Sequence, residues 1–152
     1  SSDRDLCLAL GAKAVVNHRE EDWGQQVLVA TSGKKVDRVI DVEFGANLPQ
    51  ILGCIAPNGV IATYSSTQVK TPSLPFLDMM YMDLTLRMVI VYAMPESAKQ
   101  AAIAAISIAL EQEQLEHRVA HVVPLEKISK AHELIETGGF GGSVVVSMES
   151  SE

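Results

Sequence analysis

Short apolar runs alternate along this chain with longer amphipathic stretches, and glycine, proline or polar breaks separate them. Residues 3–10 have a helical composition and stop at Gly11, a residue suited to a left-handed helix end. Residues 14–17 read as a short apolar strand, residues 22–31 as a helix ending at Ser32 and Gly33, and residues 36–42 as a second strand. A helix follows over residues 46–56. Pro57, Asn58 and Gly59 then form a turn before a strand over residues 60–64. Residues 65–75 are loop, broken by Pro72 and Pro75. A short helix covers 76–83, and a long buried strand covers 84–92, apolar from Met88 to Ala93. Pro95 opens a helix to about residue 112, as proline suits a first turn. Its centre, 101–110, is apolar nearly all round and is expected to be covered on more than one side. A strand over 118–123, a helix over 124–136 with Ile128, Ala131, Leu134 and Ile135 on one face, a turn over 137–142 and a strand over 143–148 complete the chain.

Strands alternating with helices imply parallel β-α-β units and an open α/β sheet of right-handed connection. The 152 residues suit one domain with a real core, 47% apolar and 20% charged. A net charge of −7 argues against nucleic acid, since a surface that tracks phosphates needs a basic excess. No apolar stretch approaches the length of a membrane span and no targeting motif is visible, which points to a cytoplasmic setting. Cys7 and Cys54 cannot form a disulfide framework or a four-ligand zinc site, and both read as buried, inert thiols. The tail from Met148 reads as disordered.

In an open α/β sheet, ligands bind at the carboxyl ends of the strands. The positions to weigh are therefore Asn17 and His18, residues 43–47, residues 64–67 and the end of the 84–92 strand, although small polar residues there also fit ordinary loops. No glycine fingerprint for a dinucleotide is present, and the glycines of 138–142 precede a strand, so they cannot present a helix N-terminus to phosphate. His117 and His121 bracket a strand, where four residues span roughly 13 Å, too far for one metal ion. His132 reads as a helix residue, and no metal site is expected.

Three segments nonetheless form a pattern: Leu10-Gly11-Ala12, then residues 15–22 (Val-Val-Asn-His-Arg-Glu-Glu-Asp), then residues 36–41 (Val-Asp-Arg-Val-Ile-Asp). With the Pro57-Asn58-Gly59-Val60-Ile61 turn, Val123-Pro124-Leu125-Glu126 and Ala131-His132-Glu133, they resemble the medium-chain dehydrogenase/reductase superfamily. The likeness is greatest to zinc-independent quinone oxidoreductases of the zeta-crystallin type, and it runs from about residue 6 to residue 146. The resemblance implies a partial Rossmann-like parallel sheet lacking its first two strands and the phosphate-binding glycine turn. Residues 1–115 would then belong to the dinucleotide-binding domain. Residues 116–152 would return toward a GroES-like catalytic domain.

Carried over by position, His18 falls near the adenosine 2′-phosphate of NADPH and Asn47 near the adenosine end, unless Asn47 only caps its helix. Tyr64, Ser65, Ser66 and Thr67 line the cofactor's middle. Main-chain groups of Val89, Ile90 and Val91 meet the nicotinamide carboxamide. For the basic residue that pairs with the 2′-phosphate, the candidate is Arg4, aided by Ser1 and Ser2, with no acid expected to face the phosphate. Departures from the family pattern are Met88 in place of a glycine, Glu43-Phe44 in place of smaller residues and Ser143 in place of a lysine.

The resemblance implies hydride transfer from NADPH to a quinone, enone or similar activated alkene. The alternatives are an enoyl-thioester reductase of the same superfamily and a non-catalytic binding or structural protein on this fold. A homodimer is expected, because residues 84–92 match a strand that pairs across a two-fold axis in the family, and because residues 14–17 lack sheet partners. The chain by itself is expected to be inactive and to bind NADPH weakly.

Overall fold

The computed structural model describes residues 2–148. The residues read as a disordered tail beyond Met148 lie outside the described residues, as does Ser1. The chain forms two compact units, residues 1–95 and residues 96–152.

The first unit opens with α1 (Ser2–Ala9). It closes as expected at Gly11, whose φ is +100°, while the Ala12 amide reaches back to the Cys7 carbonyl. Then come α2 (Trp23–Ala30), β1 (Val36–Asp41), α3 (Phe44–Cys54), β2 (Ile55–Thr63), α4 (Phe76–Tyr81) and β3 (Thr85–Met88). The three strands form one parallel sheet in the order β1-β2-β3. This is the expected Rossmann-like arrangement.

Four expectations need correction. Residues 14–17 are not a strand, since a strand exists only through ladder hydrogen bonds and none of the three sheet strands pairs with them. The turn at Pro57–Gly59 does not separate α3 from a later strand. Instead β2 starts at Ile55, and the turn is a bulge within it. Val36 faces Ile55 and Arg38 faces Val60, so two steps on β1 answer five on β2. Asn58, at φ +60°, donates its amide to the Met82 carbonyl. The strand read over 84–92 is only four residues long and is not buried: Met88 is 71% and Tyr92 87% exposed. Its pairing ends with Met88 opposite Thr63, and Val91–Ala93 turn into a 3-10 helix. Finally, Cys7 is exposed, while Cys54 is buried as expected.

The core lies where α3 crosses the sheet. Phe44, Leu48 and Ile51, at helical spacing, pack with Ile55 and Ile61 of β2, and Trp23, Val39 and Leu86 close around them. Burying such side chains stabilises by roughly 1.5–3 kcal/mol each. The second helix is tied to the third through Gln50: its Oε1 accepts from the Gly24 amide at 3.0 Å, and its Nε2 donates to the Glu21 carbonyl.

The second unit contains α5 (Glu96–Glu111), β4 (Val119–Pro124), a 3-10 turn, α6 (Ile128–Thr137) and β5 (Ser143–Ser147). β4 and β5 pair in parallel around α6, a single β-α-β unit. Of the predicted face of α6, Ala131 is buried against the strands and Ile135 is exposed. α5 runs where expected but is not covered: Ile103, Ile106 and Ile108 are all exposed in the described chain. His121 makes an edge contact with Phe140.

Candidate functional site

All three strands of the first sheet end on one row, Asp41 beside Thr63 and Thr63 beside Met88. The residues that follow make the carboxyl edge, where an open parallel sheet receives ligands.

Asp41 organises the first of these ends. It is buried. Its carboxylate accepts from the Asn47 side-chain amide at 2.7 Å, the Glu43 backbone amide at 3.0 Å and the Thr63 hydroxyl at 3.3 Å. A buried carboxylate needs such donors. Asn47 thus does not cap α3, a place taken by Glu43; its side chain is held by Asp41.

Glu43 grips the next loop. Its two carboxylate oxygens accept from the Thr67 amide at 3.0 Å, the Thr67 hydroxyl at 2.5 Å and the Gln68 amide at 3.0 Å. The Thr67 hydroxyl is the main reason that its pKa falls below the ordinary 4.5; partial desolvation opposes this, and the Gln68 and Thr67 amides reinforce it. Alongside, the Phe44 amide donates to the Ser65 carbonyl and the Gly45 amide to the Ser66 hydroxyl, which donates on to the Val69 carbonyl. The first amides of α3 are therefore committed to the protein, and a carboxylate sits beside them. This helix start is not a phosphate site.

The cationic groups lie elsewhere on the unit. A turn at Asn17, whose side chain accepts from the Arg19 amide and donates to Glu20, presents His18 and Arg19. Both line a cavity of about 590 Å³ together with Arg4, Val15, Val16 and Cys7. Asp3 lines it too, so an acid does face the position read as a phosphate contact. His18 also borders a second cavity, about 800 Å³, that it shares with Asn47, Asp41 and Glu43. A third, about 280 Å³, gathers Tyr64, Ser65, Ser66 and Val89 with Phe44, Lys70 and Met88.

The residues read as cofactor-binding thus fall into neighbourhoods. Arg4 joins His18, His18 joins Asn47, and Tyr64, Ser65 and Ser66 join Val89. Thr67 is turned to Glu43. The Val89 amide donates to the Thr63 carbonyl, while Ile90 and Val91 lie past the end of β3, exposed. Asp41 was not singled out from sequence, while Glu43 stood among the strand-end positions 43–47 and as a departure from the family pattern, with no role assigned to it. Among the described residues no group of three His, Cys, Asp or Glu side chains could hold a metal, and no helix is long and apolar enough to cross a membrane.

Residues 10–146 match the family described as zinc-binding dehydrogenase. The chain belongs to that family. The chain is also similar to a quinone oxidoreductase from Sus scrofa, 26% identical over 145 residues, covering 94% of this chain and 43% of that protein. The chain thus spans less than half the length of that curated relative. Among solved structures it is similar to an NAD-dependent alcohol dehydrogenase, with a TM-score of 0.76, 28% identity, and coverage of 98% of this chain and 42% of the other. A mycobacterial protein complexed with NADPH shares the fold at a TM-score of 0.76 and 20% identity, over 96% of this chain and 47% of its own.

Proposed function

We propose that this chain is the later part of the cofactor-binding domain of an NADPH-dependent, zinc-independent oxidoreductase that reduces a quinone or an activated alkene. The observation that carries the reading is the placement of Arg4, His18 and Arg19 around one cavity, with the Tyr64–Ser66 and Val89 cavity on the same unit.

Three of the residues on the first of these cavities carry the donors that the cofactor's phosphate needs, with one acid, Asp3, among them. A 2′-phosphate needs cationic or imidazole donors, and at the start of α3 the Phe44 and Gly45 amides are used and Glu43 stands beside them. Arg4, His18 and Arg19 would hold the phosphate, with Asp3 on the same cavity, while Lys70 stands at the Tyr64–Ser66 cavity. Tyr64, Ser65 and Val89 would orient the nicotinamide end and keep water from one side of it. When bound, the nicotinamide supplies a hydride to the acceptor, and the protein positions it. A quinone or enone is already electrophilic, so the reading requires no metal to polarise it. The Sus scrofa quinone oxidoreductase supports the quinone reading, and the mycobacterial protein is an NADPH complex on this fold, while the similar alcohol dehydrogenase is NAD-dependent. The reading includes a homodimer in the cytoplasm and an inactive isolated chain.

The test is titration of the full-length protein with NADPH and NADH, followed by turnover with a quinone, an enone and an enoyl thioester. NADPH binding with quinone or enone turnover supports the reading. NADH preference, or turnover of the thioester alone, refutes it.

A further inference from the structure

From the geometry at the start of α3, we infer that Glu43 is a positioning residue for the cofactor site: it latches the 65–69 loop so that the Tyr64–Val89 cavity keeps its shape. This rests on the NADPH reading above and deepens it.

One carboxylate holds three donors of two consecutive loop residues. Bonds to a charged acceptor are stronger than those between neutral groups. Thr67 and Gln68 have no other tie of this kind to the body of the unit. The flanking contacts are tight as well: a Cβ on Gly45 would stand 2.4 Å from the Val69 carbonyl oxygen and 2.8 Å from the Ser66 hydroxyl. The loop therefore has one seat against α3. Tyr64, Ser65, Ser66, Lys70 and Pro72, which line the cavity of about 280 Å³, flank the latched pair directly in sequence. Release of Thr67 and Gln68 frees the cavity wall on that side, while the Arg4–His18 cavity, built from α1 and the Asn17 turn, contains no residue of the loop. Glu43 and Gln68 also border the cavity of about 800 Å³ that His18 and Asn47 share, so the latch reaches the adenosine side there, but it forms the wall only of the Tyr64–Val89 cavity.

The experiment uses the full-length protein, its E43A variant and the isosteric E43Q. Hydrogen–deuterium exchange over residues 65–69 reads the latch. Binding of NADPH and of adenosine 2′,5′-bisphosphate reads its purpose. E43A is expected to speed exchange in the loop and to weaken NADPH roughly tenfold, the loss of about one charge-assisted hydrogen bond, with the bisphosphate affected clearly less. E43Q, which keeps one acceptor oxygen, should fall between. If E43A misfolds, E43Q carries the same comparison. Unchanged loop exchange, or equal weakening of both ligands, overturns the latch. A wild-type protein that binds neither ligand refutes the NADPH reading, and the positioning role with it, even where the exchange data show the tether.

Discussion

Replacing Gly24 with alanine would set a Cβ 2.6 Å from the Gln50 carbonyl oxygen and 3.0 Å from its Oε1. The first of these is backbone in the middle of α3, which cannot swing aside as a side chain can. To reach ordinary contact α2 must back away by several tenths of an ångström, loosening the two bonds through which Gln50 holds it. Overpacking of this kind costs roughly 1–3 kcal/mol. Against it stands the helix preference of alanine over glycine, at most about 1 kcal/mol. The net expectation is a loss of roughly 1–2 kcal/mol. Gly53 supplies the control, since it lies in α3 with nothing within 4 Å of its would-be Cβ. There the same substitution should raise stability by roughly 0.5–1 kcal/mol. Urea unfolding followed by the fluorescence of Trp23, the single tryptophan, which packs against the core, reads both changes. G24A as stable as G53A would refute the close approach of α2 and α3.

Four further outcomes are expected. In the full-length enzyme, His18→Ala should weaken NADPH more than NADH, on the order of 1–2 kcal/mol for a bond to a charged group; equal losses would leave His18 a surface residue of its turn. Cys7, exposed, should react with a thiol reagent well before Cys54, whose thiol is pushed up by burial, and equal rates would contradict that placement. Acidification should loosen the 65–69 loop. Because the Glu43 pKa is depressed in the fold, its contribution is complete above the ordinary 4.5 and is lost as pH falls through the lower folded value; loop exchange that is flat across that range would count against it. Light scattering at micromolar concentration should report about twice the 16.4 kDa chain mass, since Met88, Ile90 and Val91 leave an apolar edge exposed; a folded monomer would rule the dimer out.

The parts of the fold that sequence revealed are those decided locally. α2 and β1 follow from periodicity and from Ser32–Gly33, and α6 from its apolar face. What stayed hidden depended on partners far along the chain. Residues 14–17 have the composition of a strand but no ladder in this sheet, and residues 89–92 outrun the strand that would pair with them. Ile55 joins β2 because Val36 lies opposite, which no local signal announces. At the candidate site, resemblance pointed to His18 and Arg4, which line one cavity. The roles of Asp41 and Glu43 were not legible, although Glu43 stood among the strand-end positions, because an acid after a strand looks like any solvated loop residue. Their meaning lies in Asn47, Thr63, Thr67 and Gln68, which only the fold brings within reach.

α3 is eleven residues long, too short to persist alone in water, and such a helix ordinarily frays from its ends. Here neither end is loose. Its first amides are held by Ser65 and Ser66, and its last residue, Cys54, runs straight into the strand that begins at Ile55. The compliant point is internal: Pro49 has no N–H to offer the Gly45 carbonyl one turn back. Thermal motion in this helix is therefore directed away from its tips and into the turn between Gly45 and Pro49, so that any breathing of the unit is felt first beside the loop that Gly45 supports.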